Sequence, residues 1–294
     1  MYKIKASASS ANLGPGFDTL GLSLSMYNTV YFEANKNYVF VGFENQYCNL
    51  ENNLIVSSYR YVLEKYQKKE QPLYLKIESD IPNSRGLGSS SSLICAGLEI
   101  ANTIYSLGLT MDEKLTLANE IEGHPDNTSS CLLGGLVSSI LVDGKVKAIK
   151  YNVNESYKFL VLIPNFMQST EEARKVLPDK LSYSDIVYSS SRLANIGYLL
   201  EHYQYELLYE VMKDKIHEPY RYQLIVGSEV VRNYCDVKHL PHCVSGSGST
   251  ILVVVNDENK DKVLQDFQKM SELKLWEKRI IACNSNPMEV NYEE

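Results

Sequence analysis

A chain of 294 residues, 44% apolar and 22% charged, can bury a sizeable core in one large or two ordinary domains. Its net charge of −7, with no cluster of lysines or arginines, argues against nucleic acid as a partner, so an anionic ligand would have to be met by local residues. The longest apolar runs are strand-sized, far short of the roughly 20 residues a membrane span needs, and the opening "MYKIKASASS" lacks the apolar stretch of a signal peptide. The expectation is a cytoplasmic protein that avoids membranes.

The first half reads as strand-rich, beginning with "YKIKAS". In "SSANLGPGFDTLGLSL", Asn12, Gly14, Gly16 and Asp18 crowd a turn between two strands. Glycine and proline alone would explain a turn. Asp18, however, is wedged between Phe17 and an apolar continuation, and an unpaired carboxylate avoids such surroundings, so the expectation is that it points into a site. "LSMYNTVYFEA" and "YVFVGFE" read as further strands.

Next, "PLYLKIESDIP" alternates Leu73, Leu75 and Ile77 with polar positions, as a half-buried strand does. "PNSRGLGSSSS" follows at once and leads into Leu93, Ile94, Leu98, Ala101, Ile104 and Tyr105 at helical spacing, with Gly108 as a stop. The unit is strand, glycine-rich turn, helix. The P-loop pattern fails for want of its second glycine and lysine, the dinucleotide fingerprint because Ser91 stands where the third glycine belongs, and the nucleophile elbow for want of a closing glycine. What remains is a phosphate cradle, set against a plain helix cap, since the first amides of a helix are unpartnered and the dipole there favours anions.

Thr110 and Glu113 then form a capping box that opens a helix ending near Gly123. Glu120 and Glu122 lie at its C-terminal end, where the dipole favours cations, so a compensating cation is expected. Magnesium, which takes oxygen ligands, is a candidate, but without the surrounding motifs an ordinary solvated acidic helix end is the preferred reading. "HPDN" packs His124, Asp126 and Asn127 into one turn. A hairpin follows at "VSSILVDGKVKAI", with Asp143-Gly144 as its tight turn.

The rhythm changes near residues 152–156. "YKFLVLIP" reads as a strand. Helices are expected over residues 184–202, 205–215 and 224–234, then the strand "TILVVVN", a helix over 258–270 and the strand "KRIIAC". Strand, several helices, strand, helix, strand fits an α+β domain with a helical insertion, divided from the first domain near residue 155. The loop "HCVSGSGST" before the second strand is a third glycine-rich approach point. The six cysteines form no C-x-x-C pair and read as reduced core thiols.

"SSANLGPGFDTLG", "IPNSRGLGSSSS", "EIEGHPDN" and "SGSGST", in this order, resemble the GHMP small-molecule kinases, and within them the homoserine kinases, over essentially the whole chain. The resemblance implies a two-domain α+β fold: an N-terminal domain (1–155) with a left-handed βαβ crossover, and a ferredoxin-like C-terminal domain (156–294). It implies phosphoryl transfer from ATP, with Mg2+, to the side-chain hydroxyl of L-homoserine, giving O-phospho-L-homoserine in threonine biosynthesis. A homodimer is one open assembly.

Carried over by position, the ATP loop is Pro82, Asn83, Ser84, Arg85, Gly86, Leu87, Gly88, Ser89, Ser90, Ser91 and Ser92. Glu120 and Ser90 are the implied metal ligands, with Glu122 left open. Asn12, Asp18, His124, Asn127, Thr170, Arg174, Arg221 and Gly246 are the implied homoserine contacts, the two arginines meeting the carboxylate. Asp18, Asn127 and Glu120 form the implied catalytic set, Asp18 either orienting the hydroxyl or accepting its proton late. The family usually has proline where Ser7 and Ser249 stand, and a serine-alanine ending where this chain has four serines. Two rival readings are a GHMP kinase for mevalonate or a sugar, which should not need two arginines for an amino-acid carboxylate, and a non-catalytic ligand-binding homologue, which loss of Glu120, Asp18 or the glycines would favour.

Overall fold

The computed structural model describes residues 1–293. β1 (Tyr2–Asn12) and β2 (Gly16–Ala34) form a long antiparallel pair with register shifts after Ser7 and Ala11. After β3 (Val39–Val41), α1 (Leu54–Lys65) leads to β4 (Leu73–Ser79), which runs parallel to β3. This is the parallel crossover of the domain. The expected strand over "YVFVGFE" is cut to three residues because Gly42 turns the chain with φ +80°.

Three helices follow, α2 (Ser89–Tyr105), α3 (Met111–Glu122) and α4 (Asp126–Leu133), then the hairpin β5 (Leu136–Val142) and β6 (Lys145–Tyr151). Asp143 and Gly144 both take positive φ, +50° and +75°, as the mirror-image hairpin turn requires. The capping box of α3 forms as read: Thr110 N–H donates to Glu113 Oε2 at 2.7 Å, and Glu113 N–H to Thr110 Oγ1 at 3.3 Å.

The second sheet begins with β7 (Tyr157–Ile163). α5 (Thr170–Lys175), α6 (Tyr183–Glu201), α7 (Tyr205–Val211), α8 (Glu218–Arg221) and α9 (Ser228–Lys238) intervene before β8 (His242–Val244) and β9 (Ile251–Asn256). α10 (Lys260–Lys269), β10 (Glu277–Ile281) and β11 (Val290–Tyr292) complete the chain. The order β10-β7-β9-β8, all antiparallel, is the ferredoxin-like arrangement. β11 leaves that sheet and joins the free edge of β1, Tyr2 facing Tyr292, so the end of the chain closes the first sheet rather than the second.

The uninterrupted apolar runs of β7 and β9 reflect burial on both faces. Phe159, Val161, Leu252 and Val254 face a core shared with Leu20, Leu22 and Leu24 of β2, while Leu160, Leu162, Ile251, Val253 and Val255 face a second core under α9 and α10. The shared core glues the two sheets together and brings the three glycine loops to one seam. All six cysteines are free thiols, and Cys95, Cys131, Cys235 and Cys243 are buried. No helix among the described residues is long and apolar enough to cross a membrane.

Candidate active site

A cavity of about 660 Å³ opens at that seam. One end is the loop before α2. Gly88, at φ +66°, is the cap residue, and a Cβ there would stand 2.0 Å from Ser9 Oγ. A Cβ on Gly86 would stand 2.1 Å from the Ser245 carbonyl oxygen. Backbone thus closes Gly86 to any side chain, one at Gly88 would be strained and would have to displace the Ser9 hydroxyl, and the α2 N-terminus is left bare toward the cavity. Ser89 Oγ donates to Asn83 Oδ1 at 2.8 Å, fixing the loop on itself.

The loops are laced together by backbone. Ser9 N–H donates to Leu87 O (3.1 Å), Thr250 N–H to Arg85 O (3.1 Å) and Gly246 N–H to Ala11 O (3.1 Å). Ser245 Oγ donates to Gly86 O at 2.6 Å and Asn12 Nδ2 to Gly246 O at 3.0 Å. Arg85 spends its guanidinium on the carbonyls of Pro164, Asn83 and Asn165, so it staples the loop to the end of β7 rather than standing free for a phosphate.

At the other end stands Asp18, at φ +53°, its N–H held by Asn12 Oδ1 at 3.1 Å. Arg174 binds both of its oxygens, at 2.9 and 2.8 Å. The fork expected to meet a substrate carboxylate is thus engaged by Asp18. Arg221 is 2% exposed, lines the cavity and donates to Gly246 O at 2.8 Å. Burial, then the like charge of Arg174, pulls its pKa down to about 10, which leaves it cationic at neutral pH. Thr170 lines the cavity beside Ser247, their hydroxyls 3.3 Å apart.

His124 and Asn127 also line it. Buried Asp126 joins them: one oxygen accepts from Asn127 N–H at 2.7 Å and meets His124 Nδ1 at 2.9 Å. Burial lowers the His124 pKa, but Asp126, Glu122 and Asp18 outweigh it and leave the imidazole more basic than usual. Ser9 Oγ donates to Asn127 Oδ1 at 2.8 Å. Asp126, already noted in "HPDN", and Ser9, which the sequence did not single out, thus support His124 and Asn127.

Further sequence expectations are corrected by geometry. Glu120 does not reach the cavity: it pairs with Lys65 and accepts from Tyr61 Oη at 3.0 Å on the outer face of α3. Glu122, two residues on and so about 200° around the helix, lines the cavity and accepts from Ser90 Oγ (2.9 Å) and Ser91 Oγ (2.7 Å). Ser91 and Ser92 face inward from the loop, Ser92 Oγ donating to Ser89 O and accepting from Asn28 Nδ2, both at 2.8 Å. The departures from the family pattern are absorbed locally. Ser7 Oγ lies 2.8 Å from Ser23 Oγ at the β1 register shift, and Ser249 Oγ donates to Phe166 O at 2.8 Å.

Gly42, Phe43, Glu44 and Tyr47 after β3 also line the cavity, as do Ile77, Ile81 and Leu93. Nothing in the sequence of that connection marked it. Among the described residues no cluster of three or more His, Cys, Asp or Glu is placed to hold a metal by itself.

A family model for the GHMP kinase N-terminal domain matches residues 53–135. A homoserine kinase of Clostridium beijerinckii is 41% identical over 278 residues, 93% of each chain. A structure from Listeria monocytogenes assigned as a homoserine kinase superposes over all of both chains with TM-score 0.82 at 28% identity. The homoserine kinase structure from Cytophaga hutchinsonii shares the fold at TM-score 0.86, over 98% of this chain and 96% of that one, at 24% identity.

Proposed function

We infer the reaction from a plain premise: this chain belongs to the homoserine kinase family, within the GHMP kinases. It transfers the γ-phosphoryl group of ATP to the side-chain hydroxyl of L-homoserine, forming O-phospho-L-homoserine, an intermediate of threonine biosynthesis, and ADP. The observation that supports this most directly is one cavity with a bare helix N-terminus at one end and Asp18, Arg174 and Arg221 at the other. Anionic phosphates suit the first, and a zwitterionic amino acid suits the second.

In this reading the amides of residues 86–90 cradle the phosphates, and the wall of Phe43, Tyr47, Ile77, Ile81 and Leu93 takes the base. Glu122 and Ser90, oxygen ligands beside the phosphate loop, suit a hard divalent cation that prefers one or two carboxylates plus phosphate oxygens, so Glu122 takes the place of Glu120 beside Ser90. Magnesium, when bound, neutralises phosphate charge. Asn12, His124, Asn127, Thr170 and Gly246 complete the amino-acid subsite.

The new bond forms between the homoserine hydroxyl oxygen and the γ-phosphorus while the bond to the β–γ bridging oxygen breaks. The transition state is loose, so positioning and charge stabilisation matter more than a strong base. Asp18 is built for positioning: its backbone is fixed by Asn12 and its carboxylate by Arg174. It orients the hydroxyl and takes its proton late, with Asn127 beside it. The cytoplasm, where ATP is abundant and the six thiols stay reduced, is the place for this chemistry.

A coupled ADP-release assay with L-homoserine, L-serine and mevalonate tests the reading. Homoserine should support stoichiometric ADP release. Equal or faster turnover of mevalonate would move the chain to another GHMP activity, and ATP binding without turnover of homoserine would make it a silent homologue.

A further inference from the structure

A buried polar network runs through α8 and the turn before it, and none of it except Arg221 has a role in the reaction as described. Asp214 Oδ2 accepts the N–H groups of His217 (2.7 Å) and Glu218 (3.1 Å), and Asp214 Oδ1 accepts from Ser189 Oγ at 2.8 Å. Glu218 Oε1 accepts from Val244 N–H at 2.6 Å, just ahead of the third glycine loop. His217 is wholly buried.

The contacts of the His217 ring fix its tautomer. Nε2 lies 2.7 Å from the Gly14 carbonyl oxygen, which can only accept, so Nε2 carries the hydrogen. Nδ1 is then the acceptor, and it faces Arg221 Nη1 at 3.4 Å. Burial drives the His217 pKa to about 4, with Asp214 opposing and Arg221 assisting, so the ring stays neutral at neutral pH and Nδ1 stays an acceptor.

Arg221 has five N–H donors. Nη1 gives one to His217 and one to Gly246 O, and Nε gives one to Ala173 O at 3.3 Å. Among the described residues the two N–H groups of Nη2 have no partner, and Arg221 lines the cavity. The Phe17 ring lies beside both groups, 5.0 Å from Arg221 Cζ and 5.2 Å from the His217 centroid.

We propose that His217 is the positioning residue for Arg221: anchored on the first glycine loop through Gly14, it holds the guanidinium so that Nη2 is the edge presented to the homoserine carboxylate. The imidazole ties together residues 203 positions apart in the chain, Gly14 and His217, and sets the direction from which the arginine meets its ligand. The role rests on the homoserine kinase reading and deepens it.

Two substitutions separate the two contacts. His217→Asn keeps an acceptor near Nδ1, and His217→Gln keeps a donor near Nε2. In the coupled assay His217→Gln should raise the homoserine KM roughly tenfold, the scale of one hydrogen bond to a charged group, with the ATP KM unchanged, while His217→Asn should recover most of the loss. Equal rises in both KM values, or a His217→Gln enzyme closer to wild type than His217→Asn, would overturn the role and leave the ring a tie between loops. Melting curves establish that the variants fold. If neither amide variant folds, His217→Met fills the space without either contact, and its homoserine KM should rise at least as far; an unchanged value would overturn the role. Wild type that fails to turn over homoserine would sink the kinase reading and this one together, whereas wild-type turnover with unsplit KM values would overturn only the role of His217.

Discussion

Glu120→Gln and Glu122→Gln form the sharpest test of the site, because they sit two residues apart and should behave as opposites. Glu120 pairs with Lys65 at the surface, side chains 32% and 44% exposed, and such pairs contribute about 0–1 kcal/mol. Its amide variant should melt within about 2–4 °C of wild type and keep its kcat. Glu122 accepts two hydroxyl hydrogen bonds, from Ser90 and Ser91, which a glutamine carbonyl can also accept, so the fold should survive and only the negative charge is lost. A unit charge pair at 4 Å near a protein surface is worth on the order of 4 kcal/mol before hydration is offset, and losing one stabiliser of transition-state charge costs about 10²–10³ in rate. The assay is kcat at saturating homoserine and ATP across a magnesium titration. Glu122→Gln should lose about 10²-fold or more and need more magnesium for half-maximal rate. If Glu120→Gln instead carries the loss and Glu122→Gln does not, the assignment of the metal carboxylate is wrong.

Other variants probe the rest of the site. Gly88→Ala should lose ATP binding in calorimetry and drop in stability by about 2–3 kcal/mol, combining roughly 1–2 kcal/mol for a side chain at φ +66° with about 1 kcal/mol for displacing the Ser9 hydroxyl from Asn127; unchanged ATP affinity in a folded variant would remove the cradle. Asp18→Asn breaks the two-point contact with Arg174 and should cut kcat by about 10²-fold while ATP still binds; wild-type turnover would leave Asn127 to align the hydroxyl. For pH dependence, the His217 pKa of about 4 lies below its ordinary 6.5, so between these values the unfolded chain binds the extra proton and stability contributed by the neutral ring falls as pH drops. Buried Glu218, raised well above 4.5, acts in the opposite sense as pH rises above 4.5, so the readout is the difference between wild type and His217→Gln melting temperatures from pH 7 to 4. That difference should move against wild type as pH falls, and a constant difference would refute the burial-driven shift.

Much of the architecture was legible because its causes are local. The alternation of Leu73, Leu75 and Ile77 marked β4, Thr110 and Glu113 fixed the start of α3, and the aspartate–glycine pair fixed the hairpin turn. The apolar runs in "YKFLVLIP" and "TILVVVN" already marked strands, and their lack of alternation is what burial on both faces produces. The three glycine loops were visible too, since positive φ and close backbone approach leave a residue-type signature.

What the sequence alone did not determine is which partner each long side chain takes. Glu120 and Glu122 are alike as residue types, and only the packing of α3, with Lys65 on one side and Ser90 on the other, sends one outward and the other into the cavity. Arg85, Arg174 and Arg221 all read as anion binders, yet one became a backbone staple, one a partner of Asp18, and one an arginine held by His217 and Gly246. β11 carries no mark of the edge it joins, because strand pairing depends on where an open edge lies after the sheet has formed, and here that edge is β1, at the opposite end of the chain. Helix and turn signals act over a few residues; a hydrogen bond such as that from His217 to Gly14 exists only once two sheets have packed across a shared core and brought their loops to one seam.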